Sequence, residues 1–148
     1  MSKSQPLANR VVDLMATKDT FSRWMGVKVV EVSPGRVVLQ LTVRKDMLNG
    51  FGSCHGGITF SLADTALGFA ANSYGRLAMT MEGNVSLTKA IHENDVLTAT
   101  TQELSNGNRI AVYGVTVTNQ HGVQVAFVRG ALYKLEVEHI PGESSTKP

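Results

Sequence analysis

Gly57-Ile58-Thr59-Phe60-Ser61-Leu62-Ala63-Asp64-Thr65-Ala66-Leu67-Gly68-Phe69-Ala70-Ala71-Asn72-Ser73 reads as the one long helix of the chain, closed by Ser73-Tyr74-Gly75. Advancing about 100° per residue, Ile58, Phe60, Leu62, Ala63, Ala66, Leu67, Phe69, Ala70 and Ala71 cover well over half of its circumference. A helix with so wide an apolar surface cannot lie on the outside of a protein; a curved sheet has to wrap it. The remaining stripe is Gly57, Ser61, Asp64, Thr65, Gly68 and Asn72, all small or polar. Such a stripe suits close approach by a second backbone, or a site at an interface.

The flanking sequence supplies that sheet. Upstream, Leu7, Val11, Leu14 and Met15 mark one face of a short amphipathic helix over residues 6–17. Residues 27–32 and 36–43 are rich in β-branched side chains and flank Ser33-Pro34-Gly35, so they read as a hairpin. Residues 46–57 form a glycine-rich loop. Downstream the chain looks all-β, with strands near residues 80–87, 96–104, 109–118 and 123–135. Ser105-Asn106-Gly107-Asn108 and Asn119-Gln120-His121-Gly122 are good hairpin turns, because Asn and Gly tolerate positive φ. Residues 138–148 are polar and predict a mobile tail. Helices segregated from strands give an α+β class with an antiparallel sheet, in one domain over residues 1–148.

Composition narrows the function. The chain has 148 residues with 43% hydrophobic and 18% charged, enough apolar material for a core without disulfides or a structural metal. The charge content is below the quarter expected of a soluble monomer, which hints at surface covered by another subunit. A net charge of +2, with no Lys/Arg run, excludes a nucleic-acid binder but admits a small polyanionic ligand. A single cysteine, Cys54, excludes a disulfide framework and a multi-thiolate zinc site. His92, His121 and His139 lack ligand spacing, so no metal is expected. Met1 to Pro6 lacks an apolar leader and no run of about 18 apolar residues occurs, so the expectation is a cytoplasmic protein with no membrane partner.

Asp64 is the outlier on the helix. A carboxylate in so apolar a setting is either bonded to a neighbouring backbone or hydroxyl group, or it serves as general base or nucleophile in a cleft. Asn49-Gly50-Phe51-Gly52-Ser53-Cys54-His55-Gly56-Gly57 leads into the same helix. Glycines at a helix start expose N–H groups where the dipole favours negative charge, so Gly56 or Gly57 could polarise a carbonyl under attack. The alternative is a loop that merely turns sharply. Cys54 and His55 invite a thiol–imidazole pairing, but adjacent side chains point apart and no third group orients the base. Cys54 reads better as a packed residue, and His55 as a loop or substrate contact. Trp24, with Phe21 and Met25, reads as core or interface packing.

Leu48-Asn49-Gly50, Ser53-Cys54-His55-Gly56-Gly57, Phe60-Ser61-Leu62-Ala63-Asp64-Thr65-Ala66 and Ala71-Asn72-Ser73 resemble the hotdog-fold acyl-CoA thioesterases, and among them the phenylacetic-acid-degradation branch. Met25-Gly26-Val27, Pro34-Gly35-Arg36 and Val128-Arg129-Gly130 extend the resemblance over roughly residues 21–135. It implies a five- or six-stranded antiparallel sheet around the long helix, and pairing into a homodimer or homotetramer. It also implies a site at the subunit interface, with Asn49, His55 and Gly56 of one subunit facing Asp64 of the other. By that resemblance the Gly56 amide polarises the thioester carbonyl, and Asp64 activates water or attacks directly. Thr80, on the strand after the helix, is the candidate for placing the water. The implied substrate is an aryl- or hydroxyaryl-acetyl-CoA, and no cofactor is implied.

The chain departs from the pattern twice. Leu87-Thr88-Lys89-Ala90-Ile91 lacks the proline that relatives often carry at the strand exit, and Gly83 stands where a bulkier residue is usual. The second change is expected to enlarge or loosen the acyl pocket. Two rival readings are hydration of enoyl thioesters, which needs a different acid/base pairing near the helix start, and a non-catalytic acyl-thioester binding module. A pure binder gains nothing from a costly carboxylate beside the carbonyl.

Overall fold

A computed structural model describes residues 4–145. Helix α1 (Ser4–Lys18) and a short α2 (Thr20–Met25) precede a hairpin of β1 (Lys28–Ser33) and β2 (Arg36–Thr42). A 3-10 turn at Lys45–Met47 opens the loop into α3 (Gly56–Asn72). Four strands follow: β3 (Arg76–Leu87), β4 (Val96–Asn106), β5 (Ile110–Thr118) and β6 (Gln124–Glu138). All six strands form one antiparallel sheet in the order β1-β2-β4-β5-β6-β3, curled around α3. This is the hotdog arrangement, as expected.

The core lies between α3 and the concave face of the sheet. Leu62, Ala63, Ala66, Leu67 and Ala70 are fully buried against Leu39, Leu41, Leu97, Ala99, Val115, Val128 and Leu132. Strand alternation places every second residue of β2, β4, β5 and β6 on this face. Asn72 was expected on the polar stripe of the helix, yet it is buried. Its amide donates to the Ala78 carbonyl at 2.9 Å and its Oδ1 accepts from Ala78 N–H at 2.8 Å, tying the end of α3 to the start of β3. That pairing satisfies a buried amide completely and fixes how β3 leaves the helix.

Three expectations are corrected. β3 begins at Arg76 rather than near residue 80, and β6 runs on through Glu138. The mobile tail expected from residue 138 is instead tied back through residue 145. His139 N–H donates to Gly75 O, Ser145 N–H to Tyr74 O, and Arg10 pairs with Glu143 at 2.8 Å. The last three residues of that expected tail, 146–148, lie outside the described residues. The unforeseen helix α2 is capped by Asp19, whose side chain accepts from Ser22 N–H. It buries Ser22 and Met25 while Phe21 and Trp24 stay half exposed and stacked, with their ring centroids 5.8 Å apart. Among the described residues, no helix is long and apolar enough to cross a membrane.

Candidate active site

Helix α3 starts under an unusual cap. His55 sits in extended conformation (φ −60°, ψ 132°), and its Nδ1 accepts the Gly57 N–H at 2.9 Å. An accepting Nδ1 carries no proton, which assigns the ring N–H to Nε2, on an exposed side chain. The cap decides which amide is available. Gly57 N–H is occupied by His55, and Ile58 N–H donates to His55 O. Gly56 N–H has no partner among the described residues, and it points from the first turn of the helix, where orphan donors and the dipole coincide. Of the two glycines considered as carbonyl polarisers, Gly56 is therefore the one with a donor to offer.

Gly56 also lies close to its neighbour across the fold. A Cβ at this position would come within 2.6 Å of Leu87 Cδ1, near the end of β3. Asn49 sits upstream in the loop and holds it in shape. Its Oδ1 accepts from Phe51 N–H at 2.9 Å and Ser53 N–H at 3.2 Å, and its amide donates to Ser53 Oγ at 3.1 Å. Both ends of the Asn49 side chain are thus engaged within the loop that leads to His55 and Gly56.

Asp64 lies two turns further along α3, half buried, on the side facing β3. Thr80 Oγ1 donates to Asp64 Oδ1 at 2.9 Å. The hydroxyl therefore orients the carboxylate and leaves Oδ2 unoccupied by any hydrogen bond among the described residues. Thr65 is bonded differently: its hydroxyl meets Ser22 Oγ at 3.1 Å, and Ser22 in turn donates to Asp19 at 2.6 Å, so α2 is docked beside the carboxylate.

The five predicted residues thus fall into two clusters, Asn49-His55-Gly56 and Asp64-Thr80. Eight residues at 1.5 Å each separate Gly56 from Asp64 by about 12 Å along the helix axis. One carbonyl cannot touch both groups within one chain.

Cys54 is packed rather than reactive. Burial pushes its thiol pKa up, against a smaller opposing effect of the Thr59 hydroxyl, and its Sγ points to the His55 carbonyl at 3.6 Å. Among the described residues, no three His, Cys, Asp or Glu side chains converge as a metal site would require. A cavity of about 250 Å³ lined by Tyr74, Arg76, Asn106, Asn108 and Lys134 lies beyond the far end of α3 and contains none of the five residues. Nearby, Tyr74 and Tyr113 both donate to Glu103, at 2.7 and 3.0 Å, and burial holds both phenols protonated far above the usual range. Sequence reasoning missed Ser53, which the Asn49 spacing of four could have revealed, and Leu87, for which no local signal exists.

Known proteins carry the same frame. The thioesterase superfamily matches residues 51–126. The acyl-coenzyme A thioesterase PaaI of Escherichia coli is 36% identical over 121 residues, 82% of this chain and 86% of its own. The solved structure of the E. coli PaaI protein from the phenylacetic acid degradation operon superposes with a TM-score of 0.88 at 32% identity, covering 97% of this chain and all of that one. A hypothetical thioesterase protein of Streptococcus pneumoniae, solved with coenzyme A, matches at a TM-score of 0.72 and 28% identity over 80% of this chain and 88% of its own. The chain belongs to the thioesterase superfamily, in the branch of the PaaI-type hotdog thioesterases, and is a thioester hydrolase.

Proposed function

We propose that the protein hydrolyses acyl-CoA thioesters with an aryl- or hydroxyaryl-acetyl group, at a site completed by two subunits. The observation that carries this reading is the division of the machinery: an unpartnered amide at Gly56 and an oriented carboxylate at Asp64, about 12 Å apart on one helix. A two-fold axis that sets two α3 helices antiparallel brings Gly56 of one chain beside Asp64 of the other, twice over. The β3 edge suits such pairing. It is 12 residues long, hydrogen-bonded on one side only to β6, and exposes Met79, Met81, Val85 and Leu87. An exposed apolar edge of that length is a template for another strand. The low charge content supports a further pairing of dimers into a tetramer. A cytoplasmic location and one catalytic unit per chain belong to the same reading.

In this site the Gly56 N–H donates to the thioester oxygen and stabilises the negative charge that builds there on attack. Asp64, held by Thr80, takes a proton from water as it attacks and passes it to the departing thiolate, or attacks the carbonyl carbon itself to give a mixed anhydride that water then hydrolyses to the acid and the free carboxylate. The C–S bond breaks, coenzyme A leaves as its thiol, and the acid is released. His55 is exposed at the start of the same helix, and its Nε2 can donate to the substrate.

The test is thiol release over a panel of acyl-CoAs: phenylacetyl, hydroxyphenylacetyl, benzoyl, hexanoyl and crotonyl. Turnover highest on the arylacetyl members supports the reading. Hydration of crotonyl-CoA without thiol release contradicts it in favour of the hydratase, and binding without any turnover contradicts it in favour of a binding module.

A further inference from the structure

Gly83 was expected to enlarge or loosen the acyl pocket, but the space above it is filled. A Cβ on Gly83 would come within 2.9 Å of Phe60 Cζ and 3.1 Å of Cε2, so the ring of Phe60 rests directly on the strand backbone. Directly across the sheet from Gly83 stands Gly130, where a Cβ would come within 2.7 Å of Leu67 Cδ2. Two glycines paired on adjacent strands, β3 and β6, thus leave a gap in the concave face. Helix α3 seats Phe60 and Leu67, seven residues apart on one face, in that gap. Leu67 is fully buried, whereas Phe60 is only partly so. A phenyl ring held at its rim by the backbone and left open on one side is a wall that awaits a neighbour.

Its place along the helix identifies that neighbour. Phe60 lies four residues from Gly56 and four from Asp64, about 6 Å from each along the axis. In the antiparallel pair proposed above, on which this inference rests, Phe60 of each chain therefore falls between the two sites. The bulky, charged coenzyme A moiety has to leave towards solvent, so the acyl group points inward along the helices, towards that ring.

We infer that Phe60, seated on the Gly83–Gly130 gap, is the acyl-specificity residue and selects a flat aromatic acyl group over a straight alkyl one. Phe60 contacts the substrate; Gly83 acts through Phe60 as a positioning residue. Aromatic pairs gain stabilisation beyond their buried area when stacked offset or edge to face. A ring fixed against backbone gives that contact at little cost in side-chain freedom.

The experiment measures kcat/KM for phenylacetyl-CoA and hexanoyl-CoA in wild type, Phe60→Leu, Gly83→Ala and the double variant. The arylacetyl-to-hexanoyl ratio should fall about fivefold or more in Phe60→Leu, the size of one aromatic pairing. Gly83→Ala, which displaces the ring, should lower the ratio as well. Because Gly83 acts through the ring, the double variant should match Phe60→Leu alone, whereas a general packing defect would make the two effects add. If Phe60→Leu fails to fold, Phe60→Met, longer, more adaptable in shape and still without a ring, takes its place with the same expectation. An unmoved ratio in a folded variant overturns this inference alone. Wild-type protein that releases thiol from neither substrate overturns the acyl-CoA reading and this inference with it.

Discussion

Replacing Gly56 by proline removes the one amide assigned to the thioester oxygen, and the structure allows it to be done with little collateral damage. Gly56 is the first residue of α3, a position where proline is favoured because the N–H it lacks has no helical partner. Here no hydrogen bond is lost at all. The preceding residue must be extended before a proline, and His55 already is, at ψ 132°. The remaining obstacle is Leu87 Cδ1, 2.6 Å from a Cβ at residue 56, so the substitution is paired with Leu87→Ala. Leu87 is 50% exposed, and trimming it costs about 1 kcal/mol, partly offset by the stiffer backbone. The expected shift in Tm is no more than about 4 °C. The expected loss in kcat is far larger, about 10²- to 10³-fold or about 3 kcal/mol, as for removal of a single oxyanion donor. Leu87→Ala alone separates the two effects. Thiol release, circular dichroism and sedimentation are measured on both variants. A folded, correctly assembled Gly56→Pro/Leu87→Ala enzyme that keeps most of the kcat of Leu87→Ala would refute the assignment and turn attention to His55 Nε2.

Asp64→Asn keeps the shape and the Thr80 contact but removes the base or nucleophile; kcat should fall by at least about 10²-fold while a non-hydrolysable acyl-CoA analogue still binds, as calorimetry would show. Asn49→Ala deletes the acceptor for two loop amides, so kcat/KM should drop roughly tenfold with the global Tm little changed; an unaltered kcat/KM would show that the loop needs no such tie. His139 donates through Nε2 to Asn72 Oδ1 at 2.6 Å, and burial, with a smaller effect of Lys18, depresses its pKa. The unfolded chain therefore binds the proton first: this contribution is intact above the ordinary pKa of 6.5 and is lost as pH falls from there towards the folded value. His139→Gln keeps the donor without the titration, so urea midpoints should fall less for it than for wild type between about pH 7 and pH 5.

Much of this was legible in the sequence because one helix dictates it. The apolar surface of residues 57–73 demands a wrapped sheet, and the turn residues at 105–108 and 119–122 mark its hairpins. The paired clusters were legible as residue types, since a glycine run before a helix and a lone carboxylate inside it are both local signals. What escaped was set by contacts distant in sequence. Asn72 reads as polar and outward until Ala78 is brought alongside, and residues 139–145 read as a tail until Gly75 and Tyr74 offer backbone partners. Gly83 reads as empty space because only the folded chain shows Phe60 above it. Helix α2 escaped because it is six residues long, too short for periodicity, and is held by its Asp19 cap and by Ser22 against Thr65.

Subunit complementation tests the divided site most directly. Asp64→Asn/Leu87→Ala and Gly56→Pro/Leu87→Ala are each expected to be nearly inactive alone. Dissociated together, mixed in equal amounts and reassembled, half of the dimers should be hybrids. Each hybrid has one site with an intact Gly56 from one chain and an intact Asp64 from the other, and a second site lacking both. The account predicts recovery to about a quarter of the activity of Leu87→Ala treated the same way, the statistical share of intact sites. A mixture that stays at the activity of its two parents, with hybrids verified by mass spectrometry, would contradict it.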